Sequence, residues 1–115
     1  MSWNTICTIN DILPDGGVCA LVDGEQIAVF RIQKDGTDHL YAIANFDPFS
    51  SANVISRGIV GSIDGKLVVA SPIYKEHFDL ATGQCIEKED VKLKTWNVQL
   101  HGDTVQVQSQ DAKAA

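Results

Sequence analysis

Apolar residues fall along this chain in short runs separated by polar turns, and some of the runs alternate with polar residues. Residues 104–108, Thr-Val-Gln-Val-Gln, alternate strictly, and in the run before them Trp96, Val98 and Leu100 share one face while Asn97 and Gln99 share the other. A period of two is that of a strand with one face buried. Residues 18–22, 26–32, 40–44, 59–63 and 66–70 are short apolar-rich runs that complete a set of about eight strands, and 3–8 is a further candidate. Val91 and Leu93 fall out of phase with the Trp96 trio, which predicts a bulge or bend near Thr95. Between the runs stand Asp15-Gly16, Asp23-Gly24, Asp35-Gly36 and Asp64-Gly65, with Gly102-Asp103 as a fifth turn signal. Asp and Gly tolerate the positive φ that tight hairpins need. One helical turn is expected at 10–13, capped by Asn10 and stopped by Pro14. The pattern predicts an all-β antiparallel sandwich or barrel of about eight to ten short strands with little helix.

Composition supports sheet, since Val, Ile and Thr make up nearly a quarter of the chain. At 115 residues, the length suits one domain with one core, placed at 1–108, and 109–115 reads as a flexible polar tail. Nine Lys and Arg against 15 Asp and Glu give a net charge of −6, which argues against a nucleic-acid partner. No apolar run approaches the length of a membrane span and no leader precedes the first strand, so a soluble cytoplasmic domain without a membrane partner is expected. Three cysteines cannot form a complete disulfide framework and favour a reducing compartment.

Two connections break the hairpin rhythm, one at 45–53 and one at 71–83. The second begins Ser71-Pro72 and ends Phe78-Asp79-Leu80-Ala81-Thr82-Gly83, and with its flanking strands it resembles the Rieske family. There, a Cys-Pro-x-His-Gly segment precedes Phe-Asp-x-x-Thr-Gly, and a Cys-x-His segment lies upstream. Laid on this chain, the resemblance covers residues 3–108 and sets the four ligand positions at Asp47, Phe49, Ser71 and Tyr74. Rieske iron is held by two thiolates and two imidazoles, which these four residues do not supply. The resemblance therefore implies the Rieske fold without its cluster, and no metal or cofactor in this chain. Packing must then hold the two loops in place of metal bonds. Phe46, Phe49, Tyr74 and Phe78 supply the apolar weight, and Phe49 is expected to approach Tyr74 where the cluster would sit.

Asn45-x-Asp47-Pro48-Phe49 and Ser71-Pro72-x-Tyr74-Lys75, each replacing a ligand pair, resemble the small-subunit family of bacterial NAD(P)H-dependent assimilatory nitrite reductases. That likeness implies an accessory, non-catalytic subunit of an oxidoreductase. Its large subunit would carry FAD, siroheme and an iron–sulfur cluster and reduce nitrite to ammonium. The partner interface would be the loop tip formed by Phe46, Pro48, Phe49, Ile73 and Tyr74. The alternatives are a Rieske-type ferredoxin electron carrier, which the substituted positions oppose, and a cofactor-free binding module of another complex.

The remaining chemistry reads as structural. His39, His77 and His101 are widely spaced and are expected at surface or turn positions. Cys85 is expected as a small buried hydrophobe, and Asp79 with Thr82-Gly83 as a turn in which side-chain oxygens bind local amides. Glu87-Lys88-Glu89-Asp90 reads as a solvated loop.

Overall fold

The computed structural model describes residues 2–109, and its strands run from β1 (Trp3–Thr8) to β12 (Thr104–Gln108). Asp23-Gly24 joins β2 (Gly16–Val22) to β3 (Glu25–Lys34), and Asp35-Gly36 joins β3 to β4 (Thr37–Ala44). Asp64-Gly65 joins β7 (Ile59–Ile63) to β8 (Lys66–Ala70). Both residues of each pair have positive φ, the backbone that a tight two-residue hairpin demands. Asp15-Gly16 is the exception. Only Asp15 has positive φ there, and its N–H donates to the Arg31 carbonyl (2.6 Å), so the pair leads into β2 rather than closing a hairpin.

Twelve strands are found among the described residues, but β5 (Phe46–Asp47), β6 (Ala52–Asn53) and β10 (Thr95–Trp96) have only two residues each. The sheets run β1-β12-β11, with β11 at Val98–His101, then β10-β4-β3-β2, then β5-β6, then β7-β8-β9, with β9 at His77–Asp79. The run expected to be continuous at 96–100 is broken at Asn97. Trp96 pairs with Ala42 in one sheet, whereas Val98 pairs with Val107 in another. The break separates Trp96 from Val98, which the alternation placed on one strand, and Val91 and Leu93 lie before β10 rather than in it. The connection expected at 71–83 is also shorter, because 77–79 pair with β8 as β9.

Every residue of β3 from Ile27 to Phe30 is 0% exposed, so this strand is covered on both faces. Alternation sends Ala28, Phe30 and Ile32 to one side, where they meet Ile43, Ile55, Val69, Phe78, Leu80, Cys85 and Leu93. Ile27 and Val29 point the other way, onto Ile9, Ile12, Val22, Ala42, Trp96, Val105 and Val107. The single core expected from chain length is therefore divided in two by the β10-β4-β3-β2 sheet. Each half is closed by a three-stranded sheet, and the 71–83 connection lies on the Phe78 side.

The helical turn lies at Ile9–Asp11, one residue earlier than expected, and is 3-10. Thr8 stands at its N-cap in place of Asn10. The Asp11 carboxylate accepts the Thr8 N–H (2.8 Å) and the Thr8 hydroxyl (3.1 Å), and Ile12 turns fully into the core. Arg31 ties this turn to β3 by donating to the carbonyls of Ile9 (3.2 Å) and Ile12 (2.9 Å) while pairing with Asp38 (2.9 Å).

The Arg31 hydrogen bond holds the Asp38 carboxyl below its ordinary pKa, against a smaller opposing effect of burial. Unfolded Asp38 titrates near about 4, so this stabilisation is whole above that pH. It is lost as pH falls from there through the lower folded value. Asp38→Asn should flatten the acid side of a plot of Tm against pH between about 2 and 5. An unchanged slope there would show that the Arg31 pairing adds nothing to folding.

Expected residues 109–115 fall outside the described residues except for Ser109. That residue is held, its N–H donating to the Ser2 carbonyl (2.7 Å) and its hydroxyl to Asp23 (3.1 Å).

Candidate functional site

The two connections lie against each other. In the first, β5 and β6 form a small hairpin whose turn crosses Pro48 to Ser51, and Ser51 takes positive φ (58°). Its base is fixed by Asn45, 1% exposed. The Asn45 amide donates to the Gln26 side chain (3.2 Å) and the Cys19 sulfur (3.4 Å), and its Oδ1 accepts the Ser56 N–H (2.7 Å). A buried amide satisfied on both ends is a rigid joint, and it sets the 3-10 turn Ile55–Arg57 beside the loop. Nothing in the sequence marked Asn45 for this role. In the second connection, the Lys75 N–H donates to the Ser71 carbonyl (3.1 Å) and the Ser71 N–H to the Glu76 carbonyl (2.9 Å).

Asp47 and Ser71 join the loops. They are 0% and 1% exposed, and the Ser71 hydroxyl donates to Asp47 Oδ2 at 2.5 Å. The same carboxylate accepts the Ser50 hydroxyl (3.0 Å) and the Phe49 N–H (2.9 Å), while Ser71 Oγ accepts the Ile73 N–H (3.3 Å). Short hydrogen bonds to a buried carboxylate are among the stronger ones in proteins. Two of the four substituted positions thus form a direct bridge between the loops.

The other two lie in different surroundings. The Phe49 ring packs on Phe78, with centroids 6.2 Å apart and planes 39° apart, and is partly buried against the core. Tyr74 is 61% exposed. An all-carbon ring gains from core burial, whereas the Tyr74 hydroxyl keeps water at the surface. Phe49 is therefore an anchor under the tip rather than part of its outer face. Phe46 and Ile73 are each 45% exposed, and Pro48 is exposed. With Tyr74 they form the apolar surface of the two loops.

His39 and His101 are exposed on strands, as expected of surface residues. His77 is half-buried in β9 and its Nδ1 lies 2.6 Å from Glu87 Oε2, while the His77 N–H donates to Glu87 Oε1 (2.8 Å). Glu87 therefore ties its loop to β9, which its place in a charged run did not suggest. Burial alone would raise its pKa, but the His77 backbone and ring hydrogen bonds together lower it. Cys85 is buried, and desolvation pushes its thiol pKa up. Cys7 is raised for the same reason, with Asp11 adding to it. Neither is set up as a thiolate nucleophile. Asp79 Oδ1 accepts the Ala81 N–H (2.8 Å) and Thr82 Oγ1 the Gln84 N–H (3.2 Å), so the Asp-x-x-Thr-Gly segment is the turn expected of it.

Residues 2–108 match the family model for the Rieske-like [2Fe-2S] domain. The chain is 45% identical over 105 residues to the nitrite reductase (NADH) small subunit of Salmonella typhimurium, spanning 91% of this chain and 95% of that one. The chain belongs to this family of nitrite reductase small subunits. The solution structure of the nitrite reductase [NAD(P)H] small subunit from Erwinia carotovora has a TM-score of 0.79 and 44% identity, covering 97% of this chain and 85% of that one. A Klebsiella oxytoca nitrite reductase [NAD(P)H] large subunit is 34% identical over 112 residues, which are 97% of this chain and 11% of that protein.

The residues of this small subunit do not fit the cluster named in the family model. Asp47 and Ser71 bond each other, Phe49 offers only a hydrocarbon ring packed against the core, and Tyr74 offers a phenol. Among the described residues, no group of three or more His, Cys, Asp or Glu is placed to hold a metal ion. The three thiols are free and apart, on β1, on β2 and beside β9. What the site can do chemically is present an apolar surface on a braced support.

Proposed function

We propose that this chain acts as the accessory subunit of an NAD(P)H-dependent nitrite reductase by docking its loop tip onto the large subunit. In that assembly the large subunit carries FAD, siroheme and an iron–sulfur cluster and reduces nitrite to ammonium in the cytoplasm, and this chain adds no redox centre. The Klebsiella oxytoca large subunit supports the pairing, because it holds a segment similar to nearly the whole of this chain within one polypeptide. The observation that carries the docking surface is the exposure of Phe46, Ile73 and Tyr74 on two loops that Asp47 and Ser71 brace. Apolar side chains clustered on a rigid support are the usual anchors of an interface.

The test is capture of the tagged large subunit by the Phe46→Ala, Ile73→Ala double variant. Both side chains are already half in water, so the Tm should move by less than about 2 °C. Losing two interface anchors should weaken capture by about thirtyfold, close to 2 kcal/mol. Nitrite-dependent NAD(P)H oxidation by the large subunit, with and without this chain, reads the consequence. Equal capture of wild type and variant would rule out the tip as the contact.

A further inference from the structure

The solvent-facing charge at the tip has the opposite sign to the chain as a whole. The protein carries −6, yet over residues 45–58 and 71–76 the exposed charged side chains are Lys75 and Arg57, with the acidic Glu87 lying behind them on His77 at the foot of the second loop. The two acidic residues within those stretches are withdrawn. Asp47 is fully buried with its carboxylate taken up by Ser71, Ser50 and Phe49, and Glu76 is half-buried with Oε1 shut off from water. The ion pairs found among the described residues are Arg31 with Asp38, Lys94 with Glu25 and His77 with Glu87, and they leave Lys75 and Arg57 out.

The position of each cation is fixed by backbone. Lys75 has φ of 67°, the left-handed region where a side chain is strained and glycine is not. The Lys75 N–H closes a turn on the Ser71 carbonyl, while its side chain is open to water next to exposed Ile73 and Tyr74 and makes no ion pair among the described residues. Arg57 ends the 3-10 turn that Asn45 holds against the first loop, and the next residue, Gly58, is pressed against the Ala70 carbonyl at the foot of the second. Lys75 thus follows the apolar residues of the second loop in the chain, and Arg57 lies on the turn held between the feet of both loops.

We propose that the tip seats on a carboxylate-bearing surface of the large subunit, with Lys75 and Arg57 as the residues that read its charge. This rests on the docking surface proposed above and adds the chemistry of the partner. Apolar residues supply the contact area there. The cations set orientation and exclude basic surfaces to which a chain of −6 would otherwise be drawn.

Affinity for the purified large subunit distinguishes the two ideas, measured at about 0.05 M and about 0.5 M salt. Lys75→Glu with Arg57→Glu should weaken binding by about tenfold or more at low salt, with the gap narrowing at high salt. Lys75→Gly removes the charge while relieving the backbone, so it should weaken binding while its Tm stays level or rises. That variant keeps the test clear of a folding defect. Reversed charges that bind as well as wild type or better at low salt overturn the acidic partner surface. If Phe46→Ala with Ile73→Ala still weakens binding in that case, the docking tip stands without it. If neither pair of substitutions changes affinity, the tip is not the contact and both ideas fall.

Discussion

Replacing Asp47 by alanine should cost this small protein about 3 kcal/mol, with little further loss from replacing Ser71 in the same chain. Three donors converge on the Asp47 carboxylate, and hydrogen bonds to a carboxylate each contribute about 1.5–3 kcal/mol. The sum is not recovered in full. The Ser50 side chain is half-buried and regains some water, but the Ser71 hydroxyl, 1% exposed, is left with nothing to donate to. Ser71→Ala alone removes one of the three bonds and should cost about 1–2 kcal/mol. Urea unfolding of both single variants and the double closes a cycle, and a coupling of about 1–2 kcal/mol is expected between them. Additive effects would show that the bond does not clamp the loops. Amide exchange at Phe49 and Ile73 should rise in Asp47→Ala before exchange rises in β3, because the loops would loosen without the core opening. Large-subunit capture should fall with it, even though Asp47 itself never reaches the surface.

That bridge shows where the sequence stops being readable. Positions 47 and 71 were singled out because each stood where a metal ligand would be, and their loss read as a gap that aromatic packing must fill. Nothing local says that the replacements find each other across 24 residues of chain, since a hydrogen-bond partner so far away is set by tertiary register. Phe49 and Tyr74 show the same limit. Both are aromatic and both sit at ligand positions, but of the two it is the ring without a hydroxyl that is partly buried against the core, on Phe78, while Tyr74 is exposed. The hairpins were more legible because their information is local. Asp23-Gly24, Asp35-Gly36 and Asp64-Gly65 each require positive φ at two adjacent residues, and each is flanked by short runs rich in apolar residues. Asp15-Gly16 carries the same letters and makes no hairpin. Its N–H is taken by Arg31 on β3, a contact that the dipeptide alone cannot report. The broken strand at Asn97 lies between these cases. Trp96, Val98 and Leu100 alternate as one strand would, and that the chain changes sheets between Trp96 and Val98 follows only from which neighbours they meet.

Gly83→Ala should be the most damaging single methyl in the molecule, at about 4 kcal/mol or more. Gly83 has φ of 81°, and a Cβ built there lies 2.0 Å from the Leu93 carbonyl oxygen and 2.9 Å from its carbon. No side-chain rotation relieves that contact, because the obstacle is backbone. The Leu93 N–H donates to the Gly83 carbonyl at 2.8 Å, and the Gly83 N–H to the Asp79 carbonyl at 2.7 Å, so separating the chains breaks the bonds that close the turn. Gly65→Ala separates the two causes of damage. Gly65 has φ of 79° but nothing within 4 Å of its Cβ, so it suffers only the left-handed strain of about 1–2 kcal/mol. The difference between the two variants in urea measures the close approach itself. Equal losses at both sites would mean that the Leu93 segment moves aside freely and does not hold the turn. If the close approach does hold it, Gly83→Ala should also loosen β9, because Gln84 and Cys85 carry the strand's bonds to Asp79 and Phe78 directly after the turn. Phe78 in turn supports Phe49 under the tip, so a methyl added at the far end of this connection should weaken large-subunit capture without touching the docking surface.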